Sequence, residues 1–453
     1  MDALTDLIEA LPESAVVTDP DIVEGYRRDW SQDPDVGMPL AVVRPEDAGQ
    51  VQIAVRWAAE HGVPVVPRGA GSGLSGGSSA VDDGIVLSLE RMRAIEIDTQ
   101  CQVAVVEPGA FNQEVKQAAA KHDLWYPPDP SSFEICSIGG NVATNAGGLC
   151  CVKYGVTTDY VLGLDVVLAD GTLITLGGKR IKDVAGLSLL KLFVGSEGTL
   201  GIVTRAILRL VPAQAARSTM VATFPDIESA ARAVVQARST LRPSMLEVMD
   251  NACINAVEDF RSMGLDRSAG ALLVAQSDSP AGARGEEVAV MQEACTAAGA
   301  TEVFVTDDPD EGEMFVEARR QAIPALRERG SLMLEDVGVA VPVLPDLVAG
   351  ISAVADKYDT EIAVMAHAGD GNTHPLIVFD DQDPDATRRA GEAFDEIMRV
   401  AISLGGTITG EHGVGRTKKG ALPDQVGPDV MALNHKIKDA LDPQGILNPG
   451  AIL

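Results

Sequence analysis

Positive charge is scarce in this chain: 36 lysines and arginines stand against 66 aspartates and glutamates, a formal net charge of −30. The long-range field therefore repels phosphates and anionic lipid, which argues against autonomous binding of nucleic acid or of a membrane surface. A small anionic substrate stays open if a few cations are focused in one cleft. Cysteine is sparser still. The six (Cys101, Cys136, Cys150, Cys151, Cys253, Cys295) form no C-x-x-C and no zinc or iron–sulfur spacing, which fits reduced thiols in a cytosolic setting. No apolar run approaches the ~18 residues of a membrane span, and the start MDALTDLIEALPE is acidic where a signal peptide is basic and then apolar. The expected location is cytoplasmic, with a peripheral place at the inner face of the membrane as the alternative. With 45 glycines and 25 prolines in 453 residues, the chain is no collagen or linker, and it is long enough for two or three domains.

What is present reads as folded α/β sequence. Leu4, Leu7, Ile8 and Leu11 recur at helical spacing, and a polar arm runs on to about Pro39. LAVVRPEDAGQVQIAVRWAAEHGVPVVPRG predicts a short strand, a helix over 47–60 and a second strand over 63–66. GIVLSLERM and CQVAVVEPG read as strands, FNQEVKQAAAKHDL as a helix, and LDVVLADGTLITL as a hairpin turning at Asp170-Gly171. After AQAARS the order becomes β-α-β-β-α-β with an extra helix near 252–260, which resembles a ferredoxin-like sheet. A second domain therefore starts near residue 214.

Glycine is concentrated in three stretches, PRGAGSGLSGGSSA, SIGGNVATNAGG and VGSEGTLGIVT. Residues 71–76 spell G-x-G-x-x-G, but a dinucleotide turn must run directly into a helix, and here SSAVDDGIVLSL supplies a turn and a strand. The alternative is a nest of backbone N–H groups around an anion, beside Arg68. FAD needs a pyrophosphate cradle, a wall for its isoalloxazine and a pocket for its adenine, and three separated loops could supply them. Three of the six histidines fall in AHAGDGNTHP (His367, His374) and TGEHGVG (His412, after Glu411). Two imidazoles and a carboxylate leave open coordination positions for a divalent metal; the competing reading is a polar turn capped by both histidines. His412, beside Glu411, suits a base that accepts a hydroxyl proton.

Together these segments resemble the FAD-linked 2-hydroxy-acid dehydrogenases of the vanillyl-alcohol-oxidase type: D-lactate dehydrogenase, the D subunit of glycolate oxidase and D-2-hydroxyglutarate dehydrogenase. The likeness runs from about Pro39 to the closing LDPQGILNPG. It implies an α+β chain: a PCMH-type FAD-binding domain (1–213), a ferredoxin-like antiparallel-sheet substrate or cap domain (214–410), and a tail (411–453) returning to the first. By the same resemblance Arg68, Gly69, Ala70, Gly71, Ser72, Gly73, Leu74, Ser75 and Gly76 would hold the pyrophosphate. Pro128, Asp129, Ser131 and Ser132 would line the flavin, with Ser137, Ile138, Gly139, Gly140, Asn141, Thr144, Asn145, Gly147 and Gly148. Glu197, Gly198, Gly201 and Ile202 would reach the adenine, and Asn448 would lie near the ring. Residues 67–80 contain no histidine, so the FAD is expected to be non-covalent; a Cys136 thioether is the alternative to a buried thiol.

The resemblance further puts a divalent metal on His367, His374 and Glu411 (zinc, with manganese or iron(II) as alternatives), makes His412 the base, and gives Arg319 the substrate carboxylate, with Arg320 as competitor. The implied reaction is oxidation of a small D-2-hydroxy acid, D-lactate or glycolate, with hydride passing to flavin N5. A second carboxylate would want a second cation, and LMLEDVGVAVP offers Glu335 and Asp336 instead, a lean away from D-2-hydroxyglutarate that Lys418 and Lys419 could offset. A group-exchange synthase of the same superfamily and a non-catalytic flavin- or metal-binding subunit stay open. Without iron–sulfur cysteines, electrons must leave for an external acceptor: a quinone, a cytochrome, an electron-transfer flavoprotein or a separate iron–sulfur subunit. A homodimer is the expected assembly.

Overall fold

The computed structural model describes residues 3–31, 33 and 35–453. They form two compact units, one of Met1–Gly147, Val156–Ala213 and Glu411–Leu453, the other of Gly148–Gly155 and Gln214–Gly410.

In the first unit the strands Val16–Val17, Ala41–Val43, Ile85–Ser88 and Val65–Arg68 form one sheet in that order, the last three mutually parallel. A crossover helix, Ala48–His61, connects two of them as the α/β reading expects. Its ends follow local chemistry. The Asp47 carboxylate caps the start by accepting from the Gln50 N–H at 2.9 Å, and Gly62 ends it at φ 65°, where a Cβ would be strained. The cap contributes about 1 kcal/mol. Fully burying a side chain such as Val51 or Val55 contributes roughly 1.5–3 kcal/mol, so packing holds the helix and the cap fixes where it begins. Ile446 and Leu447 join this core from the far end of the chain, and Leu447 bridges Val65 in parallel.

A second, antiparallel sheet runs Ile95–Asp98, Val103–Val106, Ile202–Arg209, Val161–Val167, Leu173–Gly177. Besides the strand Val16–Val17, the polar arm contains an unexpected short helix, Pro20–Glu24, started by an Asp19 cap and a proline at its first turn.

The second unit is one antiparallel sheet in the order Glu302–Thr306, Ser218–Phe224, Ala271–Ser277, Met245–Asp250, Glu361–His367, Asn372–Phe379, Ser331–Leu334. Its first four strands have the ferredoxin-like order, and four further strands extend the sheet, the last of them Val337–Gly338, which pairs with Asn372–Phe379 off this path. The joint is Val248–Met249 against Met365–Ala366. Beside it Asp250 caps the helix Asn251–Phe260, accepting from Cys253 N and Val364 N, each at 2.8 Å, while burial pushes its carboxyl up to about 6.

Glu361–His367 forms a hairpin with Asn372–Phe379. Pairing continues to His367 opposite Asn372, and Met365 stands opposite His374. Both histidines are therefore strand residues. The turn is only 368–371, closed by Gly371 at φ 86°, where a Cβ would lie 2.1 Å from the Val339 carbonyl oxygen.

Candidate active-site residues in the two units

The strand Val65–Arg68 opens into residues 69–75, 77 and 78, which wall a cleft of about 890 Å³, some of it open to solvent. Every residue from Arg68 to Ser75 lines it, with Ser137, Gly139, Gly140, Thr144, Glu197, Gly198, Gly201 and Ile202, so segments 60 to 130 residues apart in the chain converge as the three-loop reading expects. Gly69 meets the second stretch so closely that a Cβ there would lie 2.2 Å from Ser137 Oγ. That oxygen accepts from Gly140 N (3.3 Å) and Ala70 N (3.2 Å), capping the helix Ile138–Thr144 and pinning the first loop to it. Replacing Ser137 by alanine should lower the unfolding free energy by about 1 kcal/mol and weaken FAD retention, measured by urea titration and by flavin content after gel filtration.

Arg68 lines the cleft and also has a task within the loop. Its guanidinium is buried and donates to the carbonyls of Arg28 (2.9 Å) and Ser78 (3.3 Å), which holds the loop's two ends together from within. The wall among the described residues does not include Gly76, Pro128, Asp129, Ser131, Ser132, Ile138, Asn141, Asn145, Gly147 or Gly148. Pro128 and Asn141 belong to a buried network, joined by the Asn112 amide. Asn145 ends the Ile138–Thr144 helix at φ 56°, and Gly148 begins a segment of the second unit. Asp29, Phe193 and Ser196 line the cleft without having been expected.

His412 lines the same cleft. Its backbone is held from two sides. Ser75 Oγ lies 3.1 Å and 2.9 Å from the carbonyl oxygens of His412 and Gly413, and the Glu197 carboxylate accepts from Val414 N (2.7 Å) and Gly415 N (2.8 Å). Asn448 Nδ2 donates to the carbonyls of Gly77 and Glu197, so the tail's asparagine ties two cleft loops together. His412 Nε2 lies 3.9 Å from Glu411 Oε1, beyond hydrogen-bond reach.

Burial pushes the Glu197 carboxyl up to about 7, although the two backbone N–H groups favour its anion. A folded-state value raised above the unfolded one gives stability that is full below pH ~4.5 and lost as pH rises through ~7. Unfolding free energy should therefore fall across that window by up to about 3 kcal/mol. Glu197→Gln, compared at each pH, should remove that part of the slope.

In the second unit a polar cluster lies inside the sheet. Glu247, Arg319 and His367 are 1%, 2% and 3% exposed, and Glu247 joins the other two. Its Oε2 accepts from Arg319 Nε at 2.9 Å, and both oxygens lie 2.9 Å from His367 Nδ1. His374 faces His367 edge to face, ring centroids 5.0 Å apart, and its Nδ1 is 3.7 Å from Asp336 Oδ1. Asp336 Oδ2 accepts from Thr409 Oγ1 (2.7 Å) and Gly410 N (2.9 Å), which fixes the chain one peptide bond before Glu411. Arg320 pairs with Glu313 at 2.7 Å, a partly exposed contact, so of the two adjacent arginines it is Arg319 that shares a carboxylate with His367. Glu247 was missed from sequence.

A cleft walled by three glycine-rich loops, joined in the chain to a ferredoxin-like unit, defines a class of flavoprotein fold. The 4-ethylphenol oxidase of Gulosibacter chungangensis has this fold, with a TM-score of 0.82 at 19% identity over 99% of this chain and 96% of that one. p-Cresol methylhydroxylase scores 0.81 at 18% identity over 99% and 95%. Residues 39–177 match an FAD binding domain, and residues 213–452 match the C-terminal domain of FAD linked oxidases. The chain belongs to that family and is an FAD-dependent oxidoreductase. It is 42% identical to glycolate oxidase subunit GlcD of Bacillus subtilis over 91% of this chain and 88% of that protein. To D-lactate dehydrogenase of Archaeoglobus fulgidus it is 34% identical over 100% and 99%.

The residues present fit FAD. Glycines permit close backbone approach on both sides of the cleft, and Ser137 and Asn448 fix the loops that would hold it. Among the described residues no cysteine lines the cleft, and Cys136 is buried.

Proposed function

We propose that the protein oxidises a small D-2-hydroxy acid, D-lactate or glycolate, to the 2-oxo acid and passes the two electrons to an external acceptor. The observation that carries this reading is the buried Arg319–Glu247–His367–His374 cluster: a guanidinium for a carboxylate beside two imidazoles that can hold a divalent metal. The relatives named glycolate oxidase subunit and D-lactate dehydrogenase support it.

Bound FAD, held non-covalently, would supply the two-electron acceptor for the substrate's α-hydrogen. A divalent metal held by His367, His374 and Glu411 would polarise the hydroxyl; the donor set of two imidazoles and a carboxylate suits zinc, manganese or iron(II). Arg319 would bind the carboxylate and orient Cα. His412 would take the hydroxyl proton as the C–H bond breaks. Glu335 and Asp336 are fully buried and add no cation, which favours a monocarboxylate over D-2-hydroxyglutarate. Among the described residues no helix is long and apolar enough to cross a membrane. The external acceptor would be a quinone, a cytochrome, an electron-transfer flavoprotein or a separate iron–sulfur subunit.

The test is product analysis with an artificial two-electron dye. One 2-oxo acid per dye reduced is expected from D-lactate or glycolate. Exhaustive dialysis against a chelator should abolish the reaction and a stoichiometric divalent metal should restore it; dye reduction that survives with no metal detectable would remove the metal from the account.

A further inference from the structure

Three polar groups rarely meet inside a sheet unless each completes the others. Glu247 and His367 lie on different strands, and Arg319 ends the helix Pro309–Arg320. They are 72 and 120 residues from one another along the chain, counted from Glu247, so their meeting is a product of the fold. A buried carboxylate with a single partner is costly, and here it has two.

The shared carboxylate has two geometric consequences. With both oxygens 2.9 Å from His367 Nδ1, it can accept a proton held at Nδ1, and this leaves Nε2 as the unprotonated, coordinating nitrogen. With Oε2 on Arg319 Nε, and with Arg319 Nη1 donating to Met365 Sδ at 3.1 Å, it fixes the guanidinium plane. Nη2 is then the one guanidinium nitrogen without a hydrogen-bond partner among the described residues, and it is buried.

We propose that Glu247 is a positioning residue that acts on both halves of substrate binding at once. It sets the tautomer of His367 for metal coordination, and it presents Arg319 Nη2 as the donor for the substrate's carboxylate. Recognition through Arg319 is therefore led by one nitrogen, because Nε is engaged by the protein itself. This inference rests on the metal-and-arginine reading of the site given above. Substrate affinity and metal affinity are linked through one side chain that touches neither ligand.

Glu247→Gln keeps the side chain's size but offers one acceptor oxygen in place of two, and turns an N–H₂ towards one of the two donors. In FAD-loaded protein it should weaken zinc affinity about 10–100-fold in competition with a chromophoric chelator, the range for loss of a carboxylate behind a metal-bound histidine. The KM for D-lactate at saturating zinc should rise at least about 10-fold, because Arg319 loses its anchor, while flavin content stays near wild type. Glu247→Asp, which keeps both oxygens, should recover part of each. Zinc affinity and KM both within about threefold of wild type would overturn the proposal. A wild-type protein that binds no stoichiometric divalent metal would instead overturn the reading on which it rests. A third measurement needs no variant: ¹⁵N-histidine spectra of the zinc-loaded wild type should show His367 protonated at Nδ1, and protonation at Nε2 would contradict the assignment even if the variants fail to fold.

Discussion

Replacing His412 by alanine should leave FAD bound and slow reduction of the flavin by D-lactate or glycolate by about 10²–10⁴-fold, the usual contribution of a positioned general base, which is the role proposed for it. The retention of FAD follows from how the loop is held. Ser75 engages the main-chain oxygens of His412 and Gly413, and Glu197 engages the main-chain nitrogens of Val414 and Gly415; none of these contacts uses the imidazole. The ring can be removed without releasing the backbone that carries it. Stopped-flow reduction at saturating substrate separates the two effects, and a rate within tenfold of wild type would take the base away from His412.

The second large effect concerns that backbone itself. Gly415 has φ +51°, and a Cβ there would lie 2.0 Å from the Ser75 carbonyl oxygen and 2.6 Å from its carbonyl carbon. Backbone against backbone has no flexible end that could move aside. Gly415→Ala should cost about 3 kcal/mol or more, beyond the usual range for a single substitution because strain and steric overlap add, and should release FAD as the Ser75 loop is displaced. Gly420→Ala is the control. A Cβ at Gly420 meets nothing within 4 Å, so its melting temperature and flavin content should match wild type. Equal behaviour of the two variants in thermal melts with flavin fluorescence would contradict the close approach on which the cleft depends.

Much of this arrangement is legible in the sequence because glycine and proline punctuate it. The three glycine-rich stretches could be placed in one cleft, since only backbone free of side chains tolerates contacts such as Gly69 on Ser137. The ferredoxin-like order followed from alternating strand and helix patterns. The hairpin's histidines were found by their clustering, but that both are strand residues becomes visible only across the ladder, where His367 pairs with Asn372 and Met365 with His374.

Arg68 shows a different limit. A sequence gives its charge next to a glycine loop, but whether that charge faces an anion or the carbonyls of Arg28 and Ser78 depends on a segment 40 residues earlier. Glu247 was invisible for the same reason. In PSMLEVMD it is one acid within an apolar strand, and the residues that explain its burial come from a helix and a strand brought in by the fold. Asp19-Pro20, by contrast, carried a readable helix start that the surrounding polar composition obscured.

The most direct test of the central claim is the visible spectrum of purified, metal-replete protein without oxygen, before and after D-lactate, L-lactate, glycolate and D-2-hydroxyglutarate are added separately. The expected result is an oxidised flavin band that bleaches with D-lactate or glycolate and persists with L-lactate. A flavin that stays oxidised with all four, or no flavin even after reconstitution with FAD, would contradict it.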